Sequence, residues 1–401
     1  MFDANKYRQD FSILNKPDQK LVYFDNACMS LKPRQVLEAM TEYYAEYPAC
    51  AGRSSHRLSE LATKAHHQAR TSVARFLNAK LDSEIIFTRN TTESINLIAN
   101  CLNLKAGDVV LTTDKEHNSN LVPWLLLAKR RGIVHRVLPS LADNTFDLEA
   151  YREAVKGVKL VSMVLTSNLD GVSIPAKEII DIAHENGSLV LLDSAQAVLH
   201  QKIDVQGLGV DFLALSGHKM VGPTGTGVLY GKMELLDQLE PFLVGGDTVS
   251  GTTYDSYELL PVPERFEAGL QDYAGIIGLG AAAEYLMTLD WPALAEHEAM
   301  LNAKITEIIT ASPKVKIIGP GDSRLRSGVI SFYIPGFDSH QIALMMDQMA
   351  GVMMRSGQHC VHAWFNAHGI ATSARASVAF YNNLEDVEIF KNTFEKIIKI
   401  L

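Results

Sequence analysis

The sequence has few cysteines and no long apolar run, and each absence argues against a class of protein. Its four cysteines, Cys28, Cys50, Cys101 and Cys360, form no C-x-x-C pair, so a disulfide scaffold or a structural metal site is not expected. Apolar runs stop far short of the roughly 20 residues that a membrane-spanning helix needs. The first residues lack the apolar stretch of a secretory signal, so we expect a cytoplasmic protein.

Basic residues are scarce relative to acidic ones. Lys and Arg total 37 against 46 Asp and Glu, which gives a formal net charge of −9. A nucleic-acid-binding surface is therefore not expected, because phosphate neutralisation needs concentrated Lys and Arg. The 401 residues are 47% hydrophobic, as in ordinary globular proteins, and suffice for a large α/β unit with a smaller appended one.

Short runs rich in Val, Ile and Leu alternate with helical patterns between about residues 20 and 230, which predicts a mostly parallel sheet covered by helices. The strands predicted there are 21–25, 84–88, 108–113, 134–138, 160–166, 188–192, 211–216 and 227–230. The helices predicted between them are 34–47, 59–77, 93–102, 123–131 and 176–186, and a loop that contains Gly245, Gly246 and Gly251 is predicted after residue 231. The domains expected are an N-terminal arm, 1–20, packed with the smaller domain, a large domain, 21–270, a linking helix, 271–292, and a small domain, 293–401.

The strongest local signal is Ser216-Gly-His-Lys219, which follows an apolar strand and precedes a glycine-rich stretch. Most lysines keep their amine in solvent, and that remains the alternative for Lys219. A lysine between a buried strand and closely turning backbone is instead partly desolvated, as a Schiff-base lysine requires. The flanking Ser216 and His218 are candidates to hold an anion.

Asp193 is the second signal, because it follows a fully apolar run on the strand before Lys219. The carboxyl edge of a parallel sheet is where ligands bind in open α/β folds. An aspartate that caps a helix is the alternative. Combined with Lys219, the acid fits the partner of the ring nitrogen in a pyridoxal phosphate enzyme.

Two loops complete the candidate site. In Thr88-Arg-Asn-Thr-Thr92, hydroxyl groups sit where a strand ends and a helix starts, a place that favours a phosphate, although Thr91 as a simple N-cap is the alternative. In Arg355-Ser-Gly-Gln-His-Cys360, a cysteine lies beside arginine, histidine and glycine, conditions that favour a thiolate nucleophile. A buried structural role stays open for Cys360, and each of the other three cysteines is interpreted as a small buried apolar side chain.

In this combination the sequence resembles the cysteine desulfurases, pyridoxal phosphate enzymes of the aminotransferase class V group. The resemblance covers nearly the whole chain and rests on Tyr23-Phe-Asp-Asn-Ala27, Arg89-Asn-Thr-Thr-Glu-Ser-Ile-Asn96, Glu116-His-Asn-Ser-Asn-Leu-Val-Pro-Trp124, Ser167-Asn168, Asp193-Ser-Ala-Gln196, Ser216-Gly-His-Lys219 and Arg265-Phe-Glu-Ala-Gly269. The short loop before Cys360 is similar to that of the group II branch, the SufS and CsdA types. The fold implied is α/β, the transferase fold type I, with a mostly parallel seven-stranded sheet in the large domain and a smaller α+β C-terminal domain.

The resemblance also implies roles for single residues. The cofactor contacts implied are Thr91, Thr92, His117, Asn168, Asp193, Gln196, Ser216, His218 and Lys219. Lys219 would bind pyridoxal 5′-phosphate covalently, Asp193 would pair with the ring nitrogen, and His117 would stack on the ring. The substrate contacts implied are Asn168, Arg355 and Arg375, and the catalytic side chains implied are Lys219, His117 and Cys360.

The reaction implied converts L-cysteine to L-alanine and leaves the sulfur on Cys360 as a persulfide. A sulfur-acceptor protein would then take it, for iron-sulfur cluster or related biosynthesis, and a homodimer is expected. Selenocysteine lyase and cysteine C–S lyase are alternatives that would use the same cofactor site. A scaffold that binds acceptor proteins without catalysis is the remaining alternative.

Several positions depart from the residues usual in such enzymes. Leu270 stands in place of a threonine that contributes to the neighbouring subunit's phosphate site, and leucine cannot donate a hydrogen bond. Gly52 and Asn118 replace common histidines, Val244 replaces an expected glycine, and Asp170 is an unusual acid. We expect these positions to alter the phosphate site, the subunit contact, the substrate range or the acceptor surface.

Overall fold

The computed structural model describes residues 2–17 and 21–401 of the chain. The strands in this part are β1 (Val22–Tyr23), β2 (Ile85–Thr88), β3 (Val109–Thr113), β4 (Val134–Leu138), β5 (Val158–Val164), β6 (Leu189–Asp193), β7 (Phe212–Ser216), β8 (Gly227–Gly231), β9 (Val249–Thr252), β10 (Tyr257–Leu259), β11 (Lys316–Ile318), β12 (Val329–Tyr333), β13 (Val352–Met353), β14 (Arg355–Gly357) and β15 (Ser373–Ser377). The α-helices are α1 (Ala4–Arg8), α2 (Arg34–Glu46), α3 (Arg57–Leu77), α4 (Thr91–Cys101), α5 (Asn118–Arg131), α6 (Leu148–Ala154), α7 (Ala176–Glu185), α8 (Ala197–His200), α9 (Val205–Leu208), α10 (Met233–Leu236), α11 (Tyr273–Met287), α12 (Trp291–Thr310), α13 (Ser339–Ala350), α14 (His362–His368) and α15 (Leu384–Ile400).

The larger sheet has seven strands in the order β2-β8-β7-β6-β5-β3-β4. Strand β8 is antiparallel to both neighbours, and all the other neighbouring pairs are parallel. Parallel neighbours need long crossover connections, and helices provide them while covering the faces of the sheet. Strands β5 to β8 are buried along nearly their whole length, as Val- and Leu-rich strands covered on both faces must be. The predicted α/β class is confirmed.

The sequence predicted a strand at 21–25 in this sheet, and that prediction is wrong. Val22–Tyr23 pairs in parallel with Val352–Met353, and Asp25 forms an isolated bridge with Ser377. The apolar side chains of the segment pack in the hydrophobic cluster of the C-terminal region. Local sequence favours a strand here, but long-range packing decides which sheet it joins.

The smaller sheet has four antiparallel strands in the order β11-β12-β15-β14, and α12, α13 and α15 pack around it. The N-terminal segment reaches this region, since Arg8 pairs with Asp386 at 2.9 Å and the ring of Phe11 lies against that of Tyr381. Helix α11 is buried over most of its surface against α2 and α3. Within residues 2–17 and 21–401, no helix combines the length and the apolar character needed to cross a membrane.

Two local predictions need correction. Helix α5 begins at Asn118 and continues through Pro123, whereas the sequence suggested a start at the proline, a residue favoured in the first turn. His117 is the N-cap, and its Nδ1 accepts a hydrogen bond from the Ser119 N–H. The glycine-rich region after residue 244, predicted as a loop, contains the antiparallel hairpin of β9 and β10.

Candidate active site

The carboxyl ends of the parallel strands meet at one edge of the larger sheet, and a cavity of about 260 Å³ lies there. The ends of these strands and the segments that follow them contribute Thr91, Thr92, His117, Asn168, Asp193, Gln196, Ser216, His218 and Lys219 to its wall. The C-terminal region contributes Arg355, Cys360 and Arg375. Every residue predicted for the site therefore lines this one cavity.

Lys219 and Asp193 reach the cavity from neighbouring strands. Asp193 is the last residue of β6, and its Oδ1 accepts a hydrogen bond from the Ala195 N–H at 2.9 Å. It does not cap α8, whose N-cap is Gln196. Burial raises the pKa of Asp193, and burial lowers the pKa of the Lys219 amine against the attraction of Asp193. A less protonated amine is the better nucleophile.

Hydroxyl groups gather at the N-terminus of α4. The Ser216 hydroxyl accepts a hydrogen bond from the Thr91 N–H at 2.9 Å and lies 2.7 Å from Thr91 Oγ1. A hydroxyl accepts twice and donates once, so Ser216 keeps its own hydrogen for an anion when Thr91 donates both bonds. The N-cap is Asn90, whose Oδ1 accepts from the Glu93 N–H at 3.0 Å, so the alternative of Thr91 as N-cap is wrong.

His117 lines the cavity as an uncharged ring. Its Nδ1 accepts from the Ser119 N–H at 3.1 Å, and Ser119 Oγ lies 2.7 Å from Thr92 Oγ1. Burial, together with the positive charges of Lys219 and two arginines, lowers the pKa of His117 to about 3. Because Nδ1 is an acceptor, the proton of the neutral ring is on Nε2. His117 is therefore neutral throughout the physiological pH range and suited to stacking on an aromatic ring.

Arg375 extends from the middle of β15 and is 1% exposed. Its Nη1 donates to the Asn168 carbonyl at 3.0 Å, and its Nη2 lies 3.5 Å from Asp25 Oδ1 as an ion pair without a hydrogen bond. Among the described residues, Nε and Nη2 have no hydrogen-bond partner. Burial lowers the pKa of Arg375 to about 10, with Asp25 opposing, so it is charged at neutral pH. This buried guanidinium is suited to a carboxylate.

Cys360 lies on the loop between β14 and α14 in a strained conformation. Its φ is 61° and that of His359 is 49°, values that cost non-glycine residues about 1 to 3 kcal/mol each. The Asn118 N–H donates to the Cys360 carbonyl at 2.8 Å, and Asn168 Nδ2 donates to the His359 carbonyl at 2.7 Å. Loops of the larger sheet thus hold Cys360 at the cavity.

Two of the cavity-wall residues that the sequence did not predict, Cys28 and His359, carry titratable side chains. Cys28, interpreted as a buried apolar side chain, is half-buried, and Arg355 Nη1 donates to its Sγ at 2.9 Å. His359 is 3% exposed, and within the described part of the chain its Nδ1 has no hydrogen-bond partner. The only signals in the sequence were the position of Cys28 after the first strand and that of His359 beside Cys360.

Asp170 does not belong to a surface, contrary to the expectation that it could alter acceptor binding. Its side chain is fully buried, and Oδ2 pairs with Lys115 Nζ at 3.1 Å. Lys115 Nζ also donates to the Asn144 carbonyl at 2.5 Å. The unusual acid is therefore half of a buried ion pair beneath the loop that carries Asn168.

The chain is similar to known proteins over its whole length. The profile of the aminotransferase class-V family matches residues 22–390. A probable cysteine desulfurase of Synechocystis is 40% identical over 99% of this chain and 96% of its own, and one of Pyrococcus abyssi is 40% identical over 96% of both. The apo cysteine desulfurase structure from Thermococcus onnurineus matches with a TM-score of 0.94 and 39% identity over 99% of this chain and 98% of that one. The S-sulfonic acid form of CsdA from Escherichia coli matches with a TM-score of 0.90 and 33% identity over 100% of both chains.

Proposed function

The chain belongs to the aminotransferase class-V family and, within it, to the cysteine desulfurases, and we propose on this premise that it converts L-cysteine to L-alanine and keeps the sulfur as a persulfide on Cys360. The observation that supports this most directly is the position of Cys360 in the wall of the cavity that Lys219 lines. A thiol there is in place to take sulfur from an amino acid bound next to the lysine.

Pyridoxal 5′-phosphate is the cofactor, and the residues of the cavity fit it. Lys219 offers an amine to its aldehyde, Asp193 offers a carboxylate to its ring nitrogen, and the N-terminus of α4 offers hydrogen-bond donors to its phosphate. Burial lowers the pKa of His218 to about 4, so the ring beside Lys219 is uncharged. When bound, the cofactor takes up the electrons released as the Cα–H bond of the substrate breaks.

The other side chains of the cavity are proposed to bind substrate and move its proton and sulfur. Arg375 binds the substrate carboxylate with the N–H groups that lack partners, and Asn168 and Arg355 complete this end of the site. The Lys219 amine removes the Cα proton as a general base. The Cys360 thiolate then attacks the substrate sulfur, the carbon–sulfur bond breaks, and alanine leaves.

Incubating the protein with L-cysteine alone is expected to release alanine and add one sulfur atom to the peptide that contains Cys360. Alanine is measured by chromatography and the added sulfur by mass spectrometry, with protein that has received no cysteine as the control. Sulfide release with an unmodified Cys360 peptide would favour the direct C–S lyase. A rate on L-selenocysteine far above that on L-cysteine would favour selenocysteine lyase.

We further propose that the enzyme is a homodimer that passes its sulfur to an acceptor protein. Large apolar side chains are exposed near the β9–β10 hairpin, namely Tyr254, Tyr257, Leu270 and Val244, the last three 60 to 65% exposed. Such a patch is expected to be covered in an assembly. The half-buried Cys360 lies on a loop that a thiol of the acceptor protein can approach. The domain boundaries and the cytoplasmic location remain as predicted from the sequence.

Leu270→Asp is expected to convert the dimer to a monomer, because it places a charge in the apolar patch. Light scattering should give the wild type twice the chain mass of 44.2 kDa and the variant the chain mass itself. Leu344→Asp, at an exposed leucine of α13, is the matched control and should remain dimeric. An active wild-type monomer would rule the dimer out.

A further inference from the structure

Two of the four cysteines share the active-site cavity. Cys28 and Cys360 both line it, whereas Cys50 and Cys101 do not. Cys360 has a role in the proposed desulfurase reaction, and Cys28 has none. Sulfur chemistry at a site with two thiols differs from that at a site with one, because a persulfide on the first thiol can be attacked by the second.

The surroundings of Cys28 are positively charged. Arg355 Nη1 donates a hydrogen bond to Cys28 Sγ at 2.9 Å. Burial lowers the pKa of Lys32 to about 8, and it lowers the pKa of Arg375 to about 10 against the attraction of Asp25. Arg375, which is 1% exposed, also lines this cavity, and two of its nitrogens lack hydrogen-bond partners among the described residues. Cationic side chains therefore lie close to Cys28, and the hydrogen bond from Arg355 suits an anionic sulfur there.

The desulfurase reaction leaves a specific need for such a thiol. Once Cys360 carries a persulfide, it has no thiolate to offer to the next substrate, so turnover stops until the sulfur leaves. This step, and the inference that follows, rest on the proposed function. We propose that Cys28 takes the outer sulfur atom from the Cys360 persulfide and holds it as a second persulfide, which returns Cys360 to a thiolate.

The transfer is balanced without any added oxidant or reductant. The Cys28 thiolate attacks the outer sulfur of Cys360–S–SH, a new sulfur–sulfur bond forms at Cys28, and the old one at Cys360 breaks. The products are Cys28–S–SH and the Cys360 thiolate, so the sulfane sulfur keeps its oxidation state and its proton. The persulfide extends the reach of Cys360 by one sulfur–sulfur bond of about 2.05 Å, and the hydrogen bond from Arg355 favours the sulfur anion at Cys28.

The test counts sulfur atoms in the holoenzyme, treated with excess L-cysteine in the absence of other thiols and acceptors. Trypsin separates the two cysteines, because Cys28 falls in the peptide 21–34 and Cys360 in the peptide 356–375. We expect a burst of two alanine molecules per subunit, with one added sulfur on each peptide. Cys28→Ala is expected to halve the burst and leave sulfur on Cys360 alone, and Cys50→Ala is the control that should keep both sulfurs.

Each other outcome contradicts the proposed sulfur transfer from Cys360 to Cys28, and the outcomes can be told apart. A burst of one with sulfur only on Cys360 means that Cys28 does not take part, while the desulfurase function stands. Two sulfur atoms on the Cys360 peptide mean a longer chain on one thiol, and a cross-link between the peptides with released sulfide means a disulfide. Sulfur on Cys28 in a Cys360→Ala variant means direct attack on the substrate. No alanine at all contradicts the desulfurase function itself. The wild-type masses decide the matter even if Cys28→Ala does not fold.

Discussion

Lys219→Ala is expected to abolish desulfuration and the absorbance band of covalently bound pyridoxal phosphate. Lys219 ends the turn that follows β7, and its amine lies in the cavity beside Asp193 with its pKa lowered by burial. Within the described part of the chain no other lysine lines this cavity, so neither the covalent bond nor the proton transfer has a substitute. We expect alanine production to fall by at least about 1000-fold, because one residue performs both tasks.

Two further variants separate loss of chemistry from loss of charge or folding. Lys219→Arg keeps a positive charge near Asp193 but cannot form the covalent bond, so it should be as inactive as Lys219→Ala. Lys177→Ala, at an exposed lysine paired with Asp181, should retain activity and the absorbance band. An undiminished band in Lys219→Ala would show that another amine holds the cofactor.

The part of the site built on the larger sheet was predictable because one rule positions it. Apolar strands separated by helices indicate a parallel sheet, and in such a sheet the residues after each strand meet at the carboxyl edge. Asp193, Ser216 and Lys219 each directly follow or end a buried strand, so sequence position alone placed them together. His117 and Asn168 follow strands β3 and β5 at the same edge.

The rest of the site depends on contacts between distant segments, which no local pattern specifies. Arg375 lies in the middle of the small sheet, yet its Nη1 bonds the Asn168 carbonyl from the larger sheet's loops. The segment that carries Cys28 joins the C-terminal region through Val22–Tyr23, which the sequence assigned to the wrong sheet. The family resemblance, and not the periodicity of the sequence, placed Arg355, Arg375 and Cys360 in one site. The resemblance gave no role to Cys28.

Cys360→Ala is expected to stop sulfur transfer while leaving the cofactor bound. The residues that fit the cofactor lie at the edge of the larger sheet. Cys360 accepts a hydrogen bond from the Asn118 N–H through its backbone carbonyl, and alanine keeps this bond. Cysteine should therefore still bind and alter the cofactor's absorbance. Alanine production from L-cysteine should fall by at least about 100-fold, since no thiolate at position 360 can attack the bound sulfur.

The absorbance spectrum and the alanine rate together decide the role of Cys360. Cys360→Ser, which preserves size, should behave as the alanine variant does, and Cys50→Ala should retain the wild-type rate because Cys50 lies outside the cavity. The carbon–selenium bond of selenocysteine is weaker than the carbon–sulfur bond of cysteine. We therefore expect Cys360→Ala to keep a larger fraction of the wild-type turnover rate on selenocysteine than on cysteine. If Cys360→Ala desulfurates cysteine at the wild-type rate and no persulfide is trapped, sulfur leaves directly as sulfide, and the strained loop that holds Cys360 at the cavity serves another purpose.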